Sequence, residues 1–218
     1  MILVVGDSLS LPRDIDEVTY KSTWPWLLSC NLETCPVINL SSAGATSTDC
    51  LDTWKRYAHY YKPKLIVFQF GIVDATARVF SQKELAFVQS IPRFRTIVHK
   101  FVRKHHSALS SWRNVRYVGA SRFRKNIASI IEITPQDTQI IFLKICTPGE
   151  YMQNQTPASM NNVDIYNGVI EGVGNGGRVH ICEVEEAEML QDGHHLSREG
   201  HELVAFNLGK LIQKSKAV

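Results

Sequence analysis

Five short stretches of the chain are apolar with little alternation: Met1–Val5, Pro36–Leu40, Lys64–Phe70, Thr138–Ile145 and Arg178–Val184. An alternating strand has one wet face. A continuous run of Val, Ile, Leu and Phe needs cover on both faces, the condition of a strand inside a parallel sheet. Between these runs the period lengthens. Thr23–Cys30, Ser47–Tyr60, Met160–Val173 and Ser197–Lys214 space their apolar residues as helices do. They also carry helix punctuation: Ser47-Thr48-Asp49 at one start, Gly174-Asn175-Gly176-Gly177 at one stop, and Ser197 as an N-cap with Glu199 in the first turn. Strands and helices alternating in this way predict an α/β sandwich. About 65 residues separate the third and fourth strands, far more than one crossover needs. The spacing predicts two helices there, Gln82–Ser107 and Gly119–Ile133, forming a cap inserted at about 80–133 in a single domain spanning 1–218.

Composition narrows the picture. The 218 residues are 44% hydrophobic and 21% charged, an ordinary globular balance. No apolar run approaches the ~18 residues of a membrane span. Five scattered cysteines, an odd number without C-x-x-C spacing, read as reduced thiols. The short apolar start lacks a basic flank and runs directly into Gly6-Asp7-Ser8, so a cytoplasmic location is expected. Charge is uneven: residues 80–133 hold eleven Lys/Arg and two acids, Glu84 and Glu132, whereas the remainder is acidic on balance. A solvated helix face is one reading; an anionic substrate or surface near this segment is another. No nucleic-acid motif accompanies the charge, so no nucleic-acid partner is expected.

Ligands of an open parallel sheet bind beyond the carboxyl ends of its strands. The residues that follow each strand are therefore a census of candidate chemistry. They are Gly6-Asp7-Ser8, Ser41-Ser42-Ala43-Gly44, Gly71-Ile72-Val73-Asp74, Thr147-Pro148-Gly149-Glu150 and, after an acidic stretch, Asp192-Gly193-His194-His195-Leu196. A serine hydroxyl needs a base to become a nucleophile, and a histidine held by a carboxylate supplies one. Asp192 and His195, three residues apart before a helix, fit one tight turn. Small residues around Ser8 and Gly44 let backbone N–H groups approach a developing oxyanion.

These residues resemble the SGNH (GDSL-type) hydrolase family over most of the chain. Gly6-Asp7-Ser8-Leu9 is similar to the first family block, Gly44 falls where the second block's glycine is expected, and Asp192-Gly193-His194-His195-Leu196 matches the D-x-x-H-L block. The resemblance implies a three-layer, flavodoxin-like α/β/α sandwich with a five-stranded parallel sheet. It implies Ser8 as nucleophile, His195 as base, Asp192 as its orienting carboxylate, and the backbone of Ser8 and Gly44 as the oxyanion hole. It also implies ester hydrolysis without a cofactor, with O-acyl groups of a carbohydrate or similar small ester as a substrate class. Transfer to a sugar hydroxyl, lipid-ester or thioester cleavage, and an impaired binding module stand as alternatives. The third block departs from G-x-N-D: Val73 occupies the place of the donating Asn. The Ser8 and Gly44 amides alone, or a substitute donor, would then serve, with Asp74, Arg78 and Gln69 nearby and Asp7 also beside the nucleophile.

Asp192 with His194, His195 and His201 has the residue types of a metal site. Adjacent histidines are expected to point apart, so no metal is expected. His194 reads as an exposed loop residue and His201 as a helix-face residue. Trp24 and Trp26 read as core or as a flat platform beside the site, and Arg13 as surface or as a contact for an anionic substituent. The glycines at 172–177 lack the Lys-Ser/Thr of a phosphate loop. Oligomeric state is not legible.

Overall fold

A computed structural model describes residues 1–13, 18–32, 35–174 and 177–215; residues 175–176 of the glycine-rich stop lie outside the described residues. The chain runs β1 (Ile2–Gly6), α1 (Trp24–Asn31), β2 (Val37–Asn39), α2 (Ser47–Tyr61), β3 (Leu65–Gln69), α3 (Ile72–Ala75), α4 (Gln82–Ser90), α5 (Pro92–Lys104), α6 (His106–Arg113), α7 (Ala120–Ile133), β4 (Gln139–Leu143), α8 (Glu150–Gln155), α9 (Ala158–Glu171), β5 (Val179–Cys182) and α10 (Arg198–Ser215). The five strands form one parallel sheet in the order β2-β1-β3-β4-β5. Every residue of β1 and β3 is buried, as their unbroken apolar composition demands.

Helices cover both faces. α1 packs with α10 on one side, and α2 packs with α7, which in turn packs on α9, on the other. The result is the expected three-layer α/β/α sandwich. Phe68 stacks on Phe142 across β3 and β4, and Phe70 meets Phe123 of α7 edge to face. The strand order places a switch point between β1 and β3, since β2 lies to one side of β1 and the later strands to the other. A crevice opens there beyond the carboxyl ends.

The basic segment differs from expectation. Instead of one helix over Gln82–Ser107, the chain makes α4 and α5, broken at Ile91-Pro92, and then α6 after His105. Proline after Ile91 forces extended backbone on that residue, whose φ and ψ are −114° and 96°. α4 is closed by a capping box between Ser81 and Glu84. The second expected helix, observed as α7, is not part of any cap. Phe123, Ile127 and Ile130 are fully buried against the sheet layer, so α7 belongs to the body of the sandwich.

Candidate functional site

The nucleophile candidate is held by the geometry at the end of β1. Gly6 hugs β3 so closely that a Cβ there would collide with the Gln69 carbonyl. Asp7 then caps a 3-10 turn, Ser8–Ser10, its Oδ1 accepting the Leu9 N–H at 3.0 Å. This turn presents Ser8 at the mouth of the crevice. Asp7 is completely buried, and burial raises its carboxyl to about 7 despite the Leu9 hydrogen bond; its Oδ2 has no partner.

From the far end of the chain, the loop before α10 delivers the candidate base. Gly193 sits at φ +75°, against the Met152 backbone, where a side chain has no room. Asp192 Oδ1 accepts the backbone N–H groups of His194 and His195, each at 3.0 Å. Its Oδ2 lies 2.7 Å from His195 Nδ1, and His195 Nε2 lies 3.0 Å from Ser8 Oγ. With Nδ1 donating to the carboxylate, Nε2 is left as an acceptor facing the hydroxyl. Burial lowers the imidazole pKa, and the charges of His194 and Arg13 add to that against the pull of Asp192. The ring is therefore neutral at pH 7, the state a base requires. Burial would raise Asp192, but the N–H of His194 and the His195 ring outweigh it and hold the carboxyl below its usual range.

Arg13 joins this group. Its guanidinium lies 3.3 Å from His195 Nε2 and 3.5 Å from Asp192 Oδ2. Of the two sequence readings of Arg13, the structure shows the side chain at the crevice. Trp24 is wholly buried, its Nε1 donating to Gln69 Oε1, so it is no substrate platform.

The crevice is a cavity of about 550 Å³. Its other side is built from Gly44, Ile72, Val73, Thr76, Arg78 and Tyr117, with Tyr151 and Met152 of α8. Gly44 adopts φ +72°. The backbone N–H groups of Ser8 and Gly44 make no hydrogen bond among the described residues, so both are available to a ligand. Val73 lines the cavity and offers no donor. Arg78 lines it too, but Nη1 is spent on the carbonyls of Val73 and Thr76, and the guanidinium stacks on Tyr117 at 3.9 Å. Asp74 is not in the cavity wall. It is buried behind it, accepting from the N–H and hydroxyl of Ser47, with its carboxyl raised to about 6 by burial. Asp7 and Asp74 thus support the site from beneath.

Two residues named from the sequence take roles it did not signal. Gln69 is buried, and its Oε1 accepts from both Ser10 and Trp24 and ties the Ser8–Ser10 turn to β3 and α1. His201 is buried, and its Nδ1 accepts the Trp24 N–H at 3.1 Å, closing the start of α1 where Thr23 makes no side-chain cap. Burial drops its pKa to about 4, so it stays a neutral acceptor. The expectation that His194 and His195 point apart fails. Their rings lie 4.3 Å from each other, and with Asp192 they offer ligand atoms within 4.8 Å. Both His195 nitrogens are nevertheless already engaged by Asp192 and Ser8.

No protein-family model matches the sequence, and no curated protein is significantly similar to it. Solved structures are similar along the whole chain. A lipase/acylhydrolase from Enterococcus faecalis aligns with a TM-score of 0.68 at 16% identity, covering 98% of this chain and 96% of its own. A carbohydrate acetylesterase family member from Sinorhizobium meliloti aligns at 0.66 and 15%, covering 100% and 99%. A member of the lipolytic G-D-S-L family from Veillonella parvula aligns at 0.65 and 12%, covering 98% of each chain. This chain has the fold of these GDSL-type proteins, end to end.

Proposed function

We propose that the protein is a serine ester hydrolase acting through an acyl-enzyme, with Ser8, His195 and Asp192 as its catalytic residues. The single observation that carries this reading is the unbroken path Ser8 Oγ to His195 Nε2 at 3.0 Å and His195 Nδ1 to Asp192 Oδ2 at 2.7 Å. Ser8 Oγ attacks the ester carbonyl carbon while its proton passes to His195 Nε2. Asp192 holds the ring tautomer and stabilises the imidazolium. The N–H groups of Ser8 and Gly44 receive the oxyanion. Collapse expels the alcohol, protonated by His195, and leaves an acyl-Ser8 ester. Water, deprotonated by the same ring, then releases the acid and regenerates the serine.

O-acyl esters of a carbohydrate or a similar small ester suit the cleft, where Tyr117 and Tyr151 offer aromatic faces and Arg13 and Arg78 bring positive charge. One protein of the same fold, from Sinorhizobium meliloti, is a carbohydrate acetylesterase family member, which supports that substrate class. The five cysteines are all free and four are buried, which suits the reducing cytoplasm. We take residues 1–218 as one domain, with α4–α6 as an appended helical arm.

Val73 favours a second reading, a protein that captures its ligand without turning it over. A fluorophosphonate probe separates the two. Labelling of the wild type and not of Ser8→Ala is expected; an unlabelled but folded wild type overturns the hydrolase. Acid release with and without an added sugar then distinguishes hydrolysis from acyl transfer, and a panel of acyl esters read by mass spectrometry defines the substrate.

A further inference from the structure

The helical arm is built differently from the rest of the surface. α5 has the sequence Pro-Arg-Phe-Arg-Thr-Ile-Val-His-Lys-Phe-Val-Arg-Lys. Ile97, Val98, Phe101 and Val102 recur at the helical spacing of one face, while Arg95, Lys100, Arg103 and Lys104 lie outside that stripe. An amphipathic helix in a folded body buries its apolar stripe. Here Val98 and Val102 are half-buried, but Ile97 is 68% exposed and Phe101 57% exposed, because among the described residues α5 packs chiefly on α4 and α6. The neighbouring helices add Phe87 on α4 and Trp112 on α6, both largely exposed. Between Glu84 and Glu132 the chain has no acidic residue and ten Lys/Arg.

We infer that the α4–α6 arm seats on an anionic membrane surface, with α5 lying in the plane of the interface. A high contrast between an apolar and a cationic face, over about 20 Å of helix, is what such a surface binds. Two alternatives fit less well. A soluble polyanion would use the lysines and arginines but leave Ile97, Phe101 and Trp112 in water. A second copy would bring an equally basic arm against this one, and Glu84, the one acid of the arm, is already paired with Arg113 and leaves the repulsion standing. No helix among the described residues is long and apolar enough to cross a membrane, so the contact is one of surface seating.

The arm also lies close to the cleft. His106 and Ser110 of α6 both bond the Gln155 carbonyl at the end of α8, and α8 supplies Tyr151 and Met152 to the cavity. Seating the arm would therefore bring the mouth of the cleft near the lipid surface.

Sedimentation of the intact protein with vesicles tests the inference without reference to any enzymatic activity. Vesicles of phosphatidylcholine with one third phosphatidylglycerol are compared with phosphatidylcholine alone. The wild type should pellet with the anionic vesicles, stay in solution with the neutral ones, and release as salt is raised. Each basic residue near such a surface is worth about five-fold in binding. The triple variant K100E/R103E/K104E should therefore lose at least about 100-fold, and I97S/F101S should lose about 10-fold or more. Thermal melts of both variants should match the wild type, because these side chains are exposed. Wild type that remains unbound to anionic vesicles at low salt overturns the proposal. So does binding that neither variant weakens. A dimer in sedimentation equilibrium that I97S/F101S dissolves, without vesicle binding, overturns it in favour of self-association.

Discussion

The two sides of the cleft are chemically unlike. One side, from the end of β1 and the loop before α10, is a closed polar network: Ser8, His195, Asp192 and Arg13 lie in a chain of contacts no longer than 3.5 Å. The other, from α3, α8 and the loops that carry Arg78 and Tyr117, presents Ile72, Val73, Met152 and two tyrosines, and its arginine is turned onto the carbonyls of Val73 and Thr76. Under the proposed mechanism, proton transfer is thus fully equipped, whereas charge stabilisation on the carbonyl oxygen falls to two backbone N–H groups. Nucleophile activation and oxyanion stabilisation are separable functions, and under the proposed mechanism the first has a full set of side chains and the second a reduced set of donors.

Breaking the polar side should have the largest effect. Asp192→Asn leaves the shape but favours the wrong imidazole tautomer, and a loss of about 10³–10⁴ in kcat is expected. A loss under ten-fold in a steady-state assay with p-nitrophenyl acetate would remove Asp192 from the proposed mechanism. The buried support beneath that side is tested next. Asp7 has a folded pKa near 7 against an ordinary 3.8, so the folded state holds its proton where the unfolded state has lost it. Stability should therefore fall as pH rises from about 4 to about 7, by roughly 4 kcal/mol at most from this group. Asp7→Asn should flatten that slope in denaturant titrations; an unchanged slope would place the titration elsewhere.

The apolar side can be sharpened rather than broken. Val73→Asn puts an amide where the third oxyanion donor is missing, and one such donor is worth about 10²–10³ in turnover. An increase of ten-fold or more in the rate of fluorophosphonate labelling is expected; no gain would show that Val73 does not face the oxyanion. The smallest effect is electrostatic. Arg13 carries a positive charge beside His195 and so opposes its protonation. Arg13→Gln should move the acid limb of kcat/KM to higher pH, by less than about one unit. A shift to lower pH would contradict the assigned sign.

Two amphipathic, basic helices show how far the sequence could be read. α5 and α7 have similar patterns, and both read as parts of one cap. α7 buries Phe123, Ile127 and Ile130 against the sandwich, while α5 leaves Ile97 and Phe101 in solvent. Periodicity identifies the apolar face of a helix but is silent on what meets it. The same limit explains His201, which reads as an ordinary helix residue until the fold brings Trp24 to its Nδ1. It explains Gln69 as well, whose acceptor role depends on Ser10 and Trp24 arriving from separate segments.

What the sequence determined by itself was local: five strands too apolar for one-sided burial, the helices between them, and the residue types at each strand end. From these followed the layered sheet and the candidacy of Ser8, Asp192 and His195. Tertiary structure decided the rest, because it depends on distances between residues far apart in the chain. Only the 2-1-3-4-5 strand order, with its switch point beside β1, sets a hydroxyl at residue 8 within 3.0 Å of an imidazole at residue 195. Only packing put Asp74 behind the cleft, folded Arg78 onto the carbonyls of Val73 and Thr76, and left Ile97 and Phe101 of α5 facing water.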